Sequence, residues 1–173
     1  VAADLKGHPL DLLINNAGIA DGYGHGVYEL KDDPDIRNYN FVFWEEMMRI
    51  NTLAPAKVIG ALLENIKAGE QKKIASLSSG LGSITNLAWA GKYGYCSSKA
   101  GLNIVCRGLA EWLKLENIIV ISLSPGWTRT DMGGPVATNS VEESVSGMRQ
   151  VLSALTLADS GRFWNFDGKE LPW

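Results

Sequence analysis

The chain has 173 residues, of which 46% are hydrophobic and 20% charged, and its formal net charge is −3. That length supports one domain with a substantial core, and the balance excludes a disordered chain and offers no basis for a nucleic-acid surface. No apolar run approaches the roughly 18 residues of a membrane helix, and the opening VAADLKGHPL reads as no signal peptide.

In chain order, residues 10–18 (LDLLINNAG) are a short apolar run closed by Asn-Asn and Gly, which predicts a buried strand and then a loop. Residues 19–40 are a polar, glycine-rich excursion. Its GYGHG lacks the G-x-G-x-x-G spacing, and VYELKDDPD is a poor helix to receive a phosphate, so it reads as a loop near a substrate mouth. DDPD reads as solvated surface. Over residues 43–69, Trp44, Met47, Met48, Val58, Ile59, Leu62, Leu63 and Ile66 recur at helical spacing, and Gly69 marks the end. Residues 72–80 (KKIASLSSG) predict a second strand. Residues 95–114 predict a second long helix, with Leu102, Val105, Leu109, Trp112 and Leu113 on its apolar side. Residues 117–126 (NIIVISLSPG) predict a third strand, 141–157 a third helix, and 161–168 (GRFWNFDG) a last strand.

Strands alternating with helices imply an α/β domain with a parallel sheet and helices on its faces. Ligands of such sheets bind where strands end in loops. NNAG, SSGLGS and SPGWTRT all leave strand ends, so they should line one rim.

The candidate chemistry lies on that rim. Tyr95 and Lys99 are four residues apart and share a helical face. A lysine ammonium beside a phenol stabilises the phenolate, which predicts a lowered Tyr95 pKa suited to acid–base work near neutral pH. Alone, the pattern equally fits an ordinary helix start. Pro55 follows Asn51 by four, so it has no N–H for the Asn51 carbonyl, which could then hold a water or simply mark a kink. Ser78 and Ser79 alternate in direction, so only one faces the site, and Ser83 competes with both. Gly82 stands three residues after Ser79. Tyr93 lacks a lysine at i+4, so it and Lys92 read as loop or rim. Trp127 fits packing and a substrate wall equally.

Cys96 and Cys106 on one helix would lie about 15 Å apart, too far for a disulfide, so free thiols and a cytoplasmic location are expected. His8 and His25 have neighbours that support no Ser-His-Asp site, and no spacing suggests a metal.

NNAG at residues 15–18, Asn51, the serine pair, YxxxK from Tyr95 to Lys99 and PGxxxT from Pro125 to Thr130 occur in one order. Together they resemble the short-chain dehydrogenase/reductase family, nearest the carbonyl-reductase branch that includes the sniffer and C-factor proteins. The resemblance implies a Rossmann-like, doubly wound parallel sheet in three αβα layers, as a single domain over residues 1–173. It implies hydride transfer between NADP or NAD, NADPH slightly favoured, and a small carbonyl or alcohol substrate. Tyr95 would be the acid–base group, Lys99 would lower its pKa and hold the nicotinamide ribose, Ser79 would bind the carbonyl, with Gly82 at the spacing the resemblance implies for the active serine, and Asn51 would hold a relay water. Asn15, Ala17 and Gly18 would shape the adenosine side of the cofactor, and Pro125, Gly126, Thr128 and Thr130 the carboxamide side. The family's first strands and its TGxxxGxG pyrophosphate loop have no counterpart in these residues, which leaves residues 10–16 as an apolar sheet edge and predicts weak cofactor binding by this chain alone. A signalling or interaction module that no longer binds cofactor is the alternative, and a remnant unable to fold alone is the third. A homo-oligomer through the two long helices is expected, with Trp44, Met47, Met48, Leu109, Trp112 and Leu113 as candidate surface.

Overall fold

A computed structural model describes residues 4–20 and 34–173. GYGHG and the acidic stretch as far as Asp33 lie outside the described residues. Four strands, β1 (Leu12–Asn15), β2 (Lys73–Leu77), β3 (Ile119–Ser124) and β4 (Phe163–Asn165), form one sheet in the order β1-β2-β3-β4, all pairs parallel. The register sets Ile14 beside Ala75 and Ile121, and Asn15 beside Ser76 and Ser122. β3 is buried along its whole length because both of its faces are covered, which is why it reads as an unbroken apolar run. β1 is the sheet edge, and no residue of it is buried, contrary to the buried strand its apolar run predicts; Ile14 is 44% exposed, because the edge has no strand on its other side among the described residues.

Helices α2 (Ala54–Ala68) and α3 (Tyr93–Leu113) cover one face. There Ile74, Ile118 and Val120 meet Ile59, Leu62, Ile66, Leu102 and Leu113. Helix α4 (Val141–Ala154) covers the other, where Ala75, Ile119, Ile121 and Leu123 meet Val151, Leu152 and Leu155. The result is the expected three-layer α/β arrangement. Ser140 and Glu143 close a capping box at the start of α4.

The helix expected over 43–69 is three pieces. α1 (Phe41–Met47) begins two residues earlier because the Asn40 side chain accepts from the Phe43 N–H. A π-helical turn, Met48–Leu53, separates α1 from α2, and Ala54 N–H donates to the Arg49 carbonyl five residues back. Pro55 cannot continue the i→i−4 ladder, and the wider turn absorbs the interruption. α3 starts at Tyr93 rather than Tyr95, after Lys92 turns the chain in left-handed backbone (φ 48°). It ends at Leu113 in a 3-10 turn, Lys114–Glu116. α4 stops at Ala154 rather than at 157, and the strands are each shorter than their apolar runs.

α3 lies close against α1 and the π turn through small residues. A Cβ on Gly94 would run into the Met47 side chain, and one on Gly101 would sit 3.2 Å from Thr52 Cγ2. Trp44 Nε1 donates to Ser97 Oγ at 2.8 Å. Of the candidate oligomer surface, Met47 and Leu113 are core, Leu109 packs against that core, and Trp44 is tied to Ser97, whereas Trp112 is 64% exposed. Tyr93 joins Tyr39 and Trp44 in an aromatic cluster and donates to the Pro34 carbonyl at 3.1 Å. Cys96 and Cys106 are buried and form no disulfide.

Candidate active site

β2 runs off its carboxyl end into the competing serines. Ser78 is buried, with its hydroxyl 3.5 Å from the Lys99 carbonyl. Ser83 is buried too and turns the other way, accepting from Asn86 N–H and donating to the Trp173 carbonyl at 3.4 Å. Ser79 caps a 3-10 turn, Gly80–Gly82, by accepting from Leu81 N–H at 3.2 Å. Of the three, it is the Ser79 hydroxyl that acts on the Tyr95 phenol, pulling its pKa down, which favours Ser79 as the candidate. Gly82 is required for a packing reason. A Cβ there would lie 2.9 Å from the Lys99 backbone carbon and Cβ, so only glycine lets this turn rest on α3 at Lys99.

Lys99 and Tyr95 share the expected face, with the ammonium 5.7 Å from the ring centroid. The ammonium donates to the Leu77 carbonyl at 2.7 Å. The electrostatics differ from expectation. Burial pushes the Tyr95 phenol up, against the pull of its Ser79 hydrogen bond. Burial also brings Lys99 down to about 8, against the attraction of Cys106. Desolvation penalises both charged forms, and with its nitrogen held on the Leu77 carbonyl Lys99 does not depress the phenol pKa.

Asn51 sits in the π turn with no solvent exposure. Its Oδ1 accepts from Ile19 N–H at 2.9 Å, and its Nδ2 donates to the Ile19 carbonyl at 2.8 Å and to Ser98 Oγ at 2.9 Å. Both amide hydrogens are therefore used, and Pro55 supplies no N–H for the Asn51 main-chain carbonyl four residues back. A Cβ on Gly18 would be 3.3 Å from Asn51 Oδ1 and 3.4 Å from Lys99 Nζ, so the loop after β1, the π turn and α3 converge at this glycine. Asn15 Nδ2 donates to Ser76 Oγ at 3.2 Å across the strands, and Ala17 is exposed.

The loop after β3 is internally braced. Pro125 offers its carbonyl to Thr128 Oγ1 at 3.0 Å and to Ser144 Oγ at 2.7 Å. Gly126 adopts φ +71°, and a Cβ there would sit 2.6 Å from the Phe166 ring. Thr130 Oγ1 accepts from Gly133 N–H at 3.1 Å. Trp127 Nε1 donates to the Gly133 carbonyl at 2.8 Å while the residue stays 53% exposed, which ties the indole to its own loop. The threonine hydroxyls thus bond within this loop, while Ser79, Tyr95, Lys99, Gly18 and Asn51 form the connected centre. A phenol and a hydroxyl in the same corner, with a buried amine over the ring, can hold a carbonyl oxygen and pass it a proton.

Ser98 was not among the expected residues. Small residues at 94, 97, 98 and 101, spaced three to four apart, were the available signal for a close helix contact. Among the described residues no His, Cys, Asp and Glu cluster could hold a metal, and no helix is long and apolar enough to cross a membrane.

Residues 2–140 match the family model described as short chain dehydrogenase. The C-signal protein of Myxococcus xanthus is 37% identical over 165 residues, which are 95% of this chain and 93% of that protein. The carbonyl reductase Sniffer of D. melanogaster superposes with a TM-score of 0.87 at 30% identity, over 99% of this chain and 71% of its own. An NADPH-bound carbonyl reductase from chicken fatty liver superposes at 0.85 with 36% identity, over 99% of this chain and 69% of its own.

Proposed function

The chain belongs to the short-chain dehydrogenase family, an oxidoreductase family, and on that premise we propose that it reduces a carbonyl compound with NADP as the preferred cofactor. The observation that carries this reading is the buried Lys99 amine, 5.7 Å from the Tyr95 ring centroid, with the Ser79 hydroxyl acting on the same phenol at the carboxyl rim of the sheet. NADP is favoured over NAD because the chicken carbonyl reductase holds NADPH.

The residues fit the nicotinamide end of such a cofactor. Gly18 leaves open the space beside Lys99 Nζ that a side chain would fill, and the ammonium has donors to spare for ribose hydroxyls. Asn15 and Ala17 border the adenosine side, and Pro125, Gly126, Thr128 and Thr130 the carboxamide side. When bound, the cofactor supplies the hydride. Ser79 holds the substrate oxygen by its hydroxyl. Tyr95 stays protonated at neutral pH because burial raises its pKa, and it delivers that proton to the same oxygen. Lys99 remains charged at pH 7 and loses its charge near pH 8. Asn51 offers its main-chain carbonyl to a water that returns protons towards Lys99. A cytoplasmic location belongs to the same proposal, as does a homo-oligomer formed through the outer faces of α2 and α3, where Val58, Ile104 and Trp112 are exposed.

Titrating NADPH and NADH into the protein and following cofactor fluorescence tests the reading, with carbonyl-dependent NADPH oxidation as the second measurement. Saturable binding, tighter for NADPH, together with turnover is expected. A cooperatively melting protein that binds neither would overturn it. It would favour a second reading, a signalling module, which the match to 93% of the C-signal protein supports.

A further inference from the structure

Ser98 stands one residue before Lys99, on the side of α3 that meets the π turn, with no solvent exposure. Its hydroxyl accepts from Asn51 Nδ2 at 2.9 Å and donates to the Tyr95 carbonyl at 2.8 Å. Its own carbonyl accepts from Thr52 Oγ1 at 2.7 Å. The Asn51 amide in turn grips the N–H and the C=O of Ile19. One hydroxyl therefore links three segments distant in sequence: the loop after β1, the π turn, and the first turns of α3.

This link matters because the π turn is the weak point of its helix. Its ladder is widened, and Pro55 removes an N–H beside it, so local backbone bonding fixes its geometry poorly. Side chains must do so instead, and Asn51 and Thr52 both direct theirs to Ser98. We propose that Ser98 is a positioning residue that acts through Asn51 to hold the Asn51 main chain in register with Tyr95 and Lys99. The proposal rests on the oxidoreductase reading above. Alanine at 98 keeps the helix and nearly the same volume but removes both hydroxyl bonds, leaving an Asn51 donor unpaired where water does not reach. The amide should then rotate and carry Ile19 and the π turn with it.

Ser97 supplies the control. Its hydroxyl bonds Trp44 and the Gly94 carbonyl, and no bond joins it to Asn51. In the full-length protein, Ser98→Ala should lower kcat about tenfold while leaving the carbonyl KM unchanged, because substrate contacts are intact and only alignment is lost. It should also speed hydrogen exchange of the Ile19 amide about tenfold. Ser97→Ala should do neither. Ser98→Cys, which keeps a weak donor and acceptor, should fall between, and it carries the test if Ser98→Ala does not melt cooperatively. Unchanged Ile19 exchange in the Ser98 variants, an unchanged kcat, or equal losses in Ser97→Ala would overturn the proposal. If the unsubstituted protein binds no cofactor and shows no turnover, the oxidoreductase reading falls, and Ile19 exchange still decides whether Ser98 holds this joint.

Discussion

The two faces of the sheet are built from different materials. Towards α4, β2 and β3 present Ala75, Ile119, Ile121 and Leu123 to Val151, Leu152 and Leu155, and the buried Lys73 reaches past them to donate to the Leu152 carbonyl. Towards α2 and α3, the same strands alternate Ile74 and Val120 with Ser76 and Ser122, and α3 answers with Lys99, Asn103 and Cys106, all buried. The first face can only stabilise. The second mixes packing with polar groups whose desolvation moves their pKa values: Cys106 is pushed up by burial against the pull of the neighbouring Ser76 and Ser122 hydroxyls, and Lys99 is brought down. The candidate site thus lies on the face that already bears the cost of burying polarity.

Substitutions on the two faces should separate activity from stability. The largest effect is expected from Tyr95→Phe, which deletes the phenol hydroxyl and keeps the ring. Turnover of NADPH with a carbonyl substrate should fall about 10²- to 10⁴-fold with the melting temperature nearly unchanged, and retained turnover would remove Tyr95 from its role. Ile121→Ala, on the α4 face and fully buried, should do the reverse. It should cost about 2 to 5 kcal/mol in denaturant unfolding while kcat per folded molecule stays constant.

Lys99 sharpens the contrast through pH. Its folded pKa of about 8 lies below its ordinary 10.5, so between those values the unfolded chain holds a proton that the folded chain has released. Stability contributed by this group therefore rises with pH across that window, and the charged amine is a liability below it. Lys99→Met should flatten that rise in unfolding curves taken from pH 7 to 10, and an unaltered slope would mean that the amine is solvated. The smallest effect is expected from Gly82→Ala, whose new methyl would press on the backbone at Lys99. A loss of about 1 to 3 kcal/mol is expected, together with a drop in kcat that Ile121→Ala does not show.

The alternation of apolar runs and helical periods determined the fold class, because the two-sided burial of the central strands β2 and β3 and each helix's apolar stripe are written in neighbouring residues. Tyr95 and Lys99 were legible for the same reason, since four residues on one helix fix their proximity. Pro55 announced an irregularity at Asn51, because a missing N–H is a property of the residue itself. The tertiary structure decided the rest. Ser79, Ser78 and Ser83 are alike in sequence, and their roles separated only when one hydroxyl met Tyr95, one lay buried against α3 and one turned to Trp173. The pKa values of Tyr95 and Lys99 went against the local expectation because desolvation depends on everything packed around them. Ser98 acquired a place in the site because Ile19 and Asn51, remote in the chain, close on its hydroxyl. Local spacing fixes what a single helix or strand can arrange, whereas hydrogen bonds and burial between segments exist only once the layers have packed.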